Sequence, residues 1–229
     1  MAQVEKSGAA VKQQLRILLV DDDPFTLATV GSMLRTLDFE VVATATTAAT
    51  GLRAGHELKP DVAVVDLDLG EGPTGIDLAH RLREMHPSIG LVVLSTYIEP
   101  RLMGYNQPPL PAGSVYLVKQ TVVDAEILGS AVTLSLSSEP LDEGHVPAVR
   151  GTGLDNLTDL QVDLMRMVAA GYSNVEIARR RSMTVPSVEN SINRLIKGLD
   201  LQASAEQNQR VLVAQAYFQL TGAVRARKS

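Results

Sequence analysis

Five short apolar runs recur in the first 120 residues, at 15–20, 39–44, 61–66, 90–95 and 114–118. Each is followed by a longer stretch of different periodicity. Runs this short, rich in Val, Leu and Ile, predict strands of a parallel sheet. The stretches between them carry helical spacing. One helix is predicted from Pro24 through Leu27, Val30, Leu34 and Leu37, with proline in its first turn. A second is predicted over 47–56. A third carries Ile76, Leu78, Ala79 and Leu82 and stops before Pro87. Another runs from Asp124 to about Leu136. After the fourth run, Asn106-Gln107-Pro108-Pro109-Leu110-Pro111 cannot be helical, because proline lacks the amide hydrogen and clashes with the preceding turn. A short helix near 99–105 and then an extended segment are expected there. This alternation predicts an α/β fold over 15–136, a five-stranded doubly wound parallel sheet.

The pattern breaks at residue 137. Residues 137–155 contain Ser137-Ser138, Pro140, Asp142-Glu143-Gly144, Pro147, Gly151 and Gly153, the composition of a linker. Residues 156–222 carry helical spacing only and predict a small all-α domain. Thr158 is a candidate N-cap ahead of Leu160, Leu164, Met167 and Val168, and Gly171 is a terminator. Ser173 caps a short helix bearing Ile177, Ala178 and Arg179-Arg180-Arg181. Thr184 caps a longer one whose inward residues are Val188, Ile192, Leu195, Ile196 and Leu199. A short and a longer helix joined by a tight turn match a helix-turn-helix. A last helix is predicted over 204–220. Residues 1–14 and the basic stretch 223–229 are expected tails.

Polar residues close four of the five strands. Asp21-Asp22, Asp66, Ser95 and Lys119 each follow an apolar run directly. Open parallel sheets bind ligands at the carboxyl ends of their strands, so three carboxylates, a hydroxyl and an amine are expected to converge. Carboxylates so close repel unless a hard cation such as Mg2+ joins them. Asp66, on the third and central strand, is the candidate nucleophile that becomes an acyl phosphate. Asp21 and Asp22 would hold Mg2+ with Asp66, and the backbone carbonyl of Asp68 would add an oxygen ligand. Lys119 would balance the phosphoryl charge and Ser95 would hydrogen-bond a phosphoryl oxygen. The plainer reading is that each acid caps a strand or helix. For Asp23, next to Pro24, that reading is preferred.

Composition narrows the picture further. The chain has no cysteine, which excludes disulfides and thiolate metal sites and suits a reducing compartment. No apolar run approaches the roughly 18 residues of a membrane span, and the first residues (Gln3, Glu5, Lys6, Ser7) are polar. A cytoplasmic protein that does not enter a membrane is expected. The net charge of −5 is unevenly divided. Residues 1–136 carry ten Lys/Arg against sixteen Asp/Glu, whereas residues 151–229 carry ten against seven. An acidic first half and a mildly basic second half suggest two tasks, the second involving nucleic acid.

Residues 15–136 resemble the receiver domain of bacterial two-component response regulators, a flavodoxin-like fold. The resemblance rests on Asp21-Asp22, Asp66, Ser95 and Lys119, in that order and at near-receiver spacing. It implies an acidic pair, a phosphoacceptor, a switch hydroxyl and a lysine, with Tyr116 as the aromatic that rotates inward. Tyr116 is equally readable as an ordinary strand aromatic. Three departures stand out. The loop Leu67 to Gly75 is about one residue longer than usual and Gly-rich. Gln120 follows Lys119 where proline is common. The segment between Ser95 and Lys119 is long and Pro-rich.

Residues 157–199 resemble the LuxR-type helix-turn-helix, on Leu157-Thr158, Val168 to Asn174, Glu176-Ile177-Ala178, Val188 and Leu199. Together the two halves are similar to the NarL/FixJ class. The helix over 184–198 would enter the major groove of double-stranded DNA, with Ser187, Glu189, Asn190, Asn193, Arg194 and Lys197 on its exposed face. Asparagine pairs with adenine, and arginine with guanine or phosphate. Arg179, Arg180 and Arg181 would reach phosphates; alternatively they only favour the negative end of their helix. Glu189 stands where this family often has lysine. The last helix is a candidate dimer surface or simply a closing element of the small core.

Three functions follow as expectations. The first is a transcription regulator controlled by Mg2+-dependent phosphorylation of Asp66 by a partner histidine kinase, a homodimer when active, with no metabolic substrate. The second is a regulator that never uses phosphate, its first domain serving as a dimerisation or ligand-sensing platform. The third is an aspartate-nucleophile phosphatase, suggested by Asp66-Leu67-Asp68, although in that family the pair follows the first strand rather than the third.

Overall fold

The computed structural model describes residues 14–104, 108–137, 157–201 and 207–221. Most of the expected tails and linker lies outside them. The five strands are β1 (Arg16–Val20), β2 (Glu40–Ala45), β3 (Val62–Asp66), β4 (Gly90–Ser95) and β5 (Val115–Val118), all within a residue of expectation. They pair in parallel in the order β2-β1-β3-β4-β5. Every residue of β3 is buried, as a central strand covered on both faces requires.

Helices cover both faces. On one, α1 (Pro24–Thr36) and α4 (Ala125–Leu134) place Val30, Leu34, Leu128 and Val132 over Ile17, Val64 and Leu117. On the other, α2 (Ala48–Leu58) and α3 (Gly75–Met85) place Ala48, Leu78 and Leu82 over Leu18, Ala63 and Leu91. Alternate residues of each strand feed opposite clusters, the consequence of the two-residue repeat of a strand. The chain reverses its winding between β1 and β3, so the loops after these two strands diverge and leave a crevice at their carboxyl ends.

Local capping fixes where several helices begin. Asp23 accepts from the amides of Phe25 and Thr26, confirming it as a cap. Thr74 and Asp77 form a reciprocal capping box at α3, as Thr158 and Gln161 do further on. The expected helix near 99–105 is only a single 3-10 turn, Pro100–Leu102. Beyond it, Pro108 to Ala112 has no regular structure and crosses α3, held by His80 Nε2 at 2.8 Å from the Pro109 carbonyl and by Arg83 Nη1, which donates to the Ala112 carbonyl. Among the described residues, no full helix covers this edge of the sheet, as prolines that cannot join a helix ladder require.

The second unit consists of α5 (Asp159–Ala169), α6 (Asn174–Arg181), α7 (Val185–Gly198) and α8 (Gln209–Leu220). Gly171, at φ +83°, ends the α5 turn, with the Tyr172 amide donating to the Met167 carbonyl. The core joins Leu164, Met165 and Val168 of α5, Ile177 of α6, Val188, Ile192 and Leu195 of α7, and Val213 and Ala216 of α8. Among the described residues, no helix is long and apolar enough to cross a membrane.

The two units touch. Leu102 of the 3-10 turn is buried against Leu157 and Val162, with Tyr97, Leu199, Tyr217 and Leu220 packed around them. The Tyr217 hydroxyl donates to the Leu102 carbonyl at 3.1 Å. Arg101 Nη1 donates to the Leu157 carbonyl at 2.9 Å and to Asp159 Oδ1 at 3.1 Å. The Ile98 amide donates to the Leu220 carbonyl at 3.2 Å. The 3-10 turn is thus covered by α5 and α8.

Candidate functional site

The ends of β1, β3, β4 and β5 bring the acids, hydroxyl and amine together. Carboxylate oxygens of Asp21, Asp22 and Asp66 lie within 4.8 Å of one another. Asp21 and Asp66 are buried, whereas Asp22 faces solvent. Lys119 follows β5 and starts a 3-10 turn. Its Nζ lies 2.7 Å from Asp21 Oδ2 and 2.9 Å from Asp66 Oδ2. Asp21 Oδ1 accepts from the Asp23 amide, which fixes the carboxylate's orientation.

The charges are unbalanced. One ammonium faces three carboxylates, and the buried charge of Asp66 is costly. Burial pushes the Asp66 carboxyl up to about 6 against the pull of Lys119, and repulsion from Asp21 adds to the rise. Burial works against the Lys119 charge, but its hydrogen bonds to Asp21 and Asp66 win and its affinity for a proton rises. An all-oxygen donor set with surplus negative charge and one solvent-facing member suits a hard divalent cation. The pocket can therefore hold a metal ion.

Ser95 ends β4 next to β3 and is fully buried. Its Oγ accepts from the Tyr97 amide at 3.1 Å. Tyr116 points inward and is also fully buried. Its hydroxyl donates to the Tyr97 carbonyl at 2.7 Å. Burial raises the Tyr116 phenol well above its ordinary value, so it stays a neutral donor. The Asp68 amide bonds the Asp66 carboxylate. The Asp68 side chain accepts from the Gly70 amide at 3.2 Å and from the Tyr97 hydroxyl at 3.4 Å.

Two residues that sequence reasoning passed over shape this pocket. One is Tyr97, which followed no motif and lies in neither a strand nor a helix. The other is Gly75, at the first turn of α3. A Cβ there would sit 1.9 Å from the Asp66 carbonyl oxygen and 3.0 Å from the Leu67 Cα, both backbone atoms that cannot swing away. The Gly75 amide donates to the Leu67 carbonyl at 3.0 Å, so α3 is pressed directly onto the backbone of Asp66. Gly75→Ala is expected to destabilise the protein by about 1–3 kcal/mol through overpacking. It should also weaken Mg2+ binding, followed as the metal-induced rise in Tm. An unchanged Tm and an unchanged metal response would show that the contact relaxes freely.

On the helical unit, α7 presents Ser187, Glu189, Asn190, Asn193, Arg194 and Lys197 to solvent. The three arginines of α6 differ from one another. Arg179 and Arg180 both bind Glu176, at 2.7 Å and 2.6 Å, and hold its carboxyl down to about 2. Arg180 also lies over the Tyr172 ring, 4.4 Å from its centre. Arg181 turns inward onto the buried carboxylate of Asp163, which also pairs with Arg166 at 2.8 Å. The three consecutive arginines therefore do not project as one basic strip. Asp163 stands between Val162 and Leu164, and no local pattern marked it as the buried partner of Arg181.

Residues 17–105 match the family described as the response regulator receiver domain. The chain is 29% identical over 199 residues to the transcriptional regulatory protein MctR of Rhizobium johnstonii, covering 85% of this chain and 91% of that protein. It is 26% identical over 197 residues to the response regulator protein VraR of Staphylococcus saprophyticus, covering 82% and 91%. Among solved structures, RcsB dimers bound to two parallel DNAs share the fold with a TM-score of 0.56 at 15% identity, over 91% of this chain and 99% of that one. RcsB from Salmonella enterica serovar Typhimurium, bound to promoter P1flhDC with the phosphomimetic BeF3−, gives 0.55 at 14% identity, over 89% and 98%. Residues 17–105 thus match a response regulator receiver domain, on a five-stranded 2-1-3-4-5 sheet that carries the acidic pocket, and a C-terminal helical unit follows it.

Proposed function

We propose that this protein is a response regulator of the NarL/FixJ class, a transcription regulator switched by phosphorylation of Asp66. The observation that carries this reading is the meeting of Asp21, Asp22 and Asp66 around Lys119 at the strand ends. A carboxylate oxygen of Asp66 attacks the phosphorus of a donor phosphate. The bond from phosphorus to the donor breaks, its electron pair leaves with the donor, and Asp66 becomes an acyl phosphate. The donor is a histidine kinase, and Mg2+ is the cation we assign to the pocket, where it would offset phosphoryl charge. Asp21, Asp22 and Asp66 supply its side-chain ligands, with the Asp68 carbonyl as a further oxygen.

Lys119 already spans Asp21 and Asp66, so it is placed to balance the added phosphoryl charge. Ser95, beside Asp66 on the next strand, donates to a phosphoryl oxygen, and its oxygen can still accept from the Tyr97 amide. Tyr116 is the aromatic that packs inward behind it. Asp68 is occupied by Gly70 and Tyr97, which supports a positioning role rather than that of a phosphatase acid. We assign no metabolic substrate; the receiver's chemistry is its own phosphorylation and dephosphorylation. The protein acts in the cytoplasm.

The output is contact with double-stranded DNA as a homodimer. Recognition is assigned to the exposed face of α7, with Asn190 and Asn193 as adenine readers, Arg194 and Lys197 as guanine or phosphate contacts, and Ser187 and Glu189 at the same face. Among the α6 arginines, Arg179 and Arg180 can trade Glu176 for phosphate because they are exposed. Arg181 anchors the fold through Asp163 and contributes to DNA binding by holding α6 against α5.

The test is intact mass after incubation with acetyl phosphate and Mg2+. The wild type should gain one phosphoryl group and Asp66→Asn none. Asn190→Ala with Asn193→Ala should weaken binding to a target operator at least tenfold, at about 1–3 kcal/mol per lost base contact. A phosphoryl group on Asp66→Asn, or operator binding untouched by the asparagine changes, would overturn the corresponding half of the proposal.

A further inference from the structure

Three acids of the helical unit are bonded to arginine. Asp159 bonds Arg101, Asp163 pairs with Arg166 and Arg181, and Glu176 holds Arg179 and Arg180. Glu189, the only acid of α7, differs from them. It is exposed, and its side chain makes no hydrogen bond or ion pair among the described residues. Its own helix offers no cation in reach. Side chains meet along a helix at three or four positions, and those positions hold Val185, Pro186, Ile192 and Asn193. Val188 and Ile192 are buried in the core of the unit, which fixes the rotation of α7 and turns Glu189, Asn190 and Asn193 outward. Asn193 follows Glu189 by four residues and Asn190 by three, so the three side chains are neighbours. Neither asparagine has a side-chain partner among the described residues. Ser187, by contrast, is tied to the helix cap, its Oγ 2.8 Å from Thr184 Oγ1. Glu189 and Asn190 lie in the second turn of α7, and a helix that reads the major groove does so from its N-terminal residues.

We propose that Glu189 is a specificity-determining residue that selects cytosine in the DNA site, next to adenine read by its asparagine neighbours. The inference rests on the proposed entry of α7 into the major groove. A carboxylate among phosphates is repelled, so an unpaired one on the reading face weakens binding to DNA in general. That loss is offset only where a base edge offers a donor, because an ionised carboxylate accepts and does not donate. In the major groove guanine presents the N7 and O6 acceptors, and thymine presents the O4 acceptor and a methyl group. Both are turned away. Adenine presents an amino group, but its N7 acceptor stands beside it and opposes the second carboxylate oxygen. Cytosine presents the N4 amino group alone. Asparagine, with one donor group and one acceptor, matches the adenine edge instead. Glu189 therefore discriminates as much by rejecting three bases as by bonding the fourth.

The experiment uses the full chain, with and without acetyl phosphate and Mg2+, and a pool of random-sequence duplex DNA. Duplexes retained by the wild type and by Glu189→Ala are sequenced. Alanine at this exposed helical position favours the helix, so the variant tests the carboxylate rather than the fold. Wild-type duplexes should carry cytosine at one fixed position of each half-site, next to adenine, and the variant should lose that preference alone. Changing this C·G pair to T·A in the enriched duplex should weaken wild-type binding about tenfold or more, and binding of the variant by less than about twofold. The variant should also bind non-cognate duplex more tightly than the wild type does, because a negative charge has left the groove. Damage to the fold would weaken both kinds of binding. If the variant enriches the same cytosine, or if wild-type sites carry no fixed cytosine, the assignment of Glu189 is refuted and DNA reading by α7 stands. If the wild type enriches no sequence in either state, DNA reading fails and the assignment fails with it.

Discussion

Replacing Lys119 with methionine lowers the metal-free unfolding free energy by about 3–5 kcal/mol at pH 8, the range for stripping one partner from buried charges. The reason lies in what remains. Asp21 and Asp66 are 1% and 6% exposed, and the Lys119 ammonium bonds both. Methionine fills much the same space but carries no charge, so two carboxylates face each other in a poorly solvated pocket. Folding raises the proton affinity of Lys119. Its stabilising contribution is therefore fully present below the ordinary lysine value and is lost only as the pH rises through the raised one. The deficit of the variant narrows on acidification for a different reason. Asp66, already pushed up to about 6 by burial, takes a proton and relieves the repulsion. Added Mg2+ should also narrow it, because a ligand that binds only the folded state stabilises that state. Urea unfolding at pH 5 and pH 8, with and without Mg2+, measures all of this. A variant within 1 kcal/mol of the wild type at pH 8 without metal would show that Lys119 does not compensate these charges.

The opposite change at the neighbouring position has the opposite sign. Asp66→Asn should stabilise the metal-free protein at pH 7.5 by about 2 kcal/mol. The basis is the rise of the Asp66 carboxyl from 3.8 to about 6. Each tenfold gain in proton affinity on folding corresponds to about 1.4 kcal/mol. The rise already carries the pull of Lys119, and asparagine reproduces the protonated acid only in part. The folded state holds the Asp66 proton more tightly than the unfolded chain does. Stability from this group is fully present below about pH 4, falls between pH 4 and pH 6, and is gone above that window. The variant and the wild type should thus converge near pH 4 and separate by pH 7. The same substitution removes one metal ligand, so Mg2+ should raise the Tm of the variant less than that of the wild type. Parallel stability curves from pH 4 to pH 8 would mean that Asp66 titrates normally. Together the two variants describe a pocket whose acids are held at a cost in stability, a common feature of functional sites.

Much of the site was legible in the sequence because topology does the assembling. A polar residue that directly follows a parallel strand must lie at the carboxyl edge of the sheet. Asp21, Asp66, Ser95 and Lys119 therefore converge whatever the details of packing. Helix starts were equally legible. Asp23, Thr158, Ser173 and Thr184 act on amides only two or three residues ahead. The inward face of α7 followed from its 3.6-residue period, and Val188, Ile192, Leu195 and Ile196 are all buried.

What only the tertiary structure decided involves partners far apart along the chain. The three arginines of α6 look alike in sequence, yet Arg181 is turned onto Asp163 while Arg179 and Arg180 share Glu176. Gly75 is one glycine of a Gly-rich loop until α3 is seen resting on the Asp66 carbonyl. A short helix near 99–105 could be expected, but not that only the turn Pro100–Leu102 would form there and seat α5 and α8. Tyr97 carries no signature, because its importance lies in two peptide hydrogen bonds and a ring shared by two cores. Periodicity reports which face of an element is apolar, and capping reports where it starts. Neither reports which surfaces 115 residues apart, such as Leu102 and Tyr217, will close on one another. That choice depends on shape and on buried polar groups finding partners, and it exists only once the chain is folded.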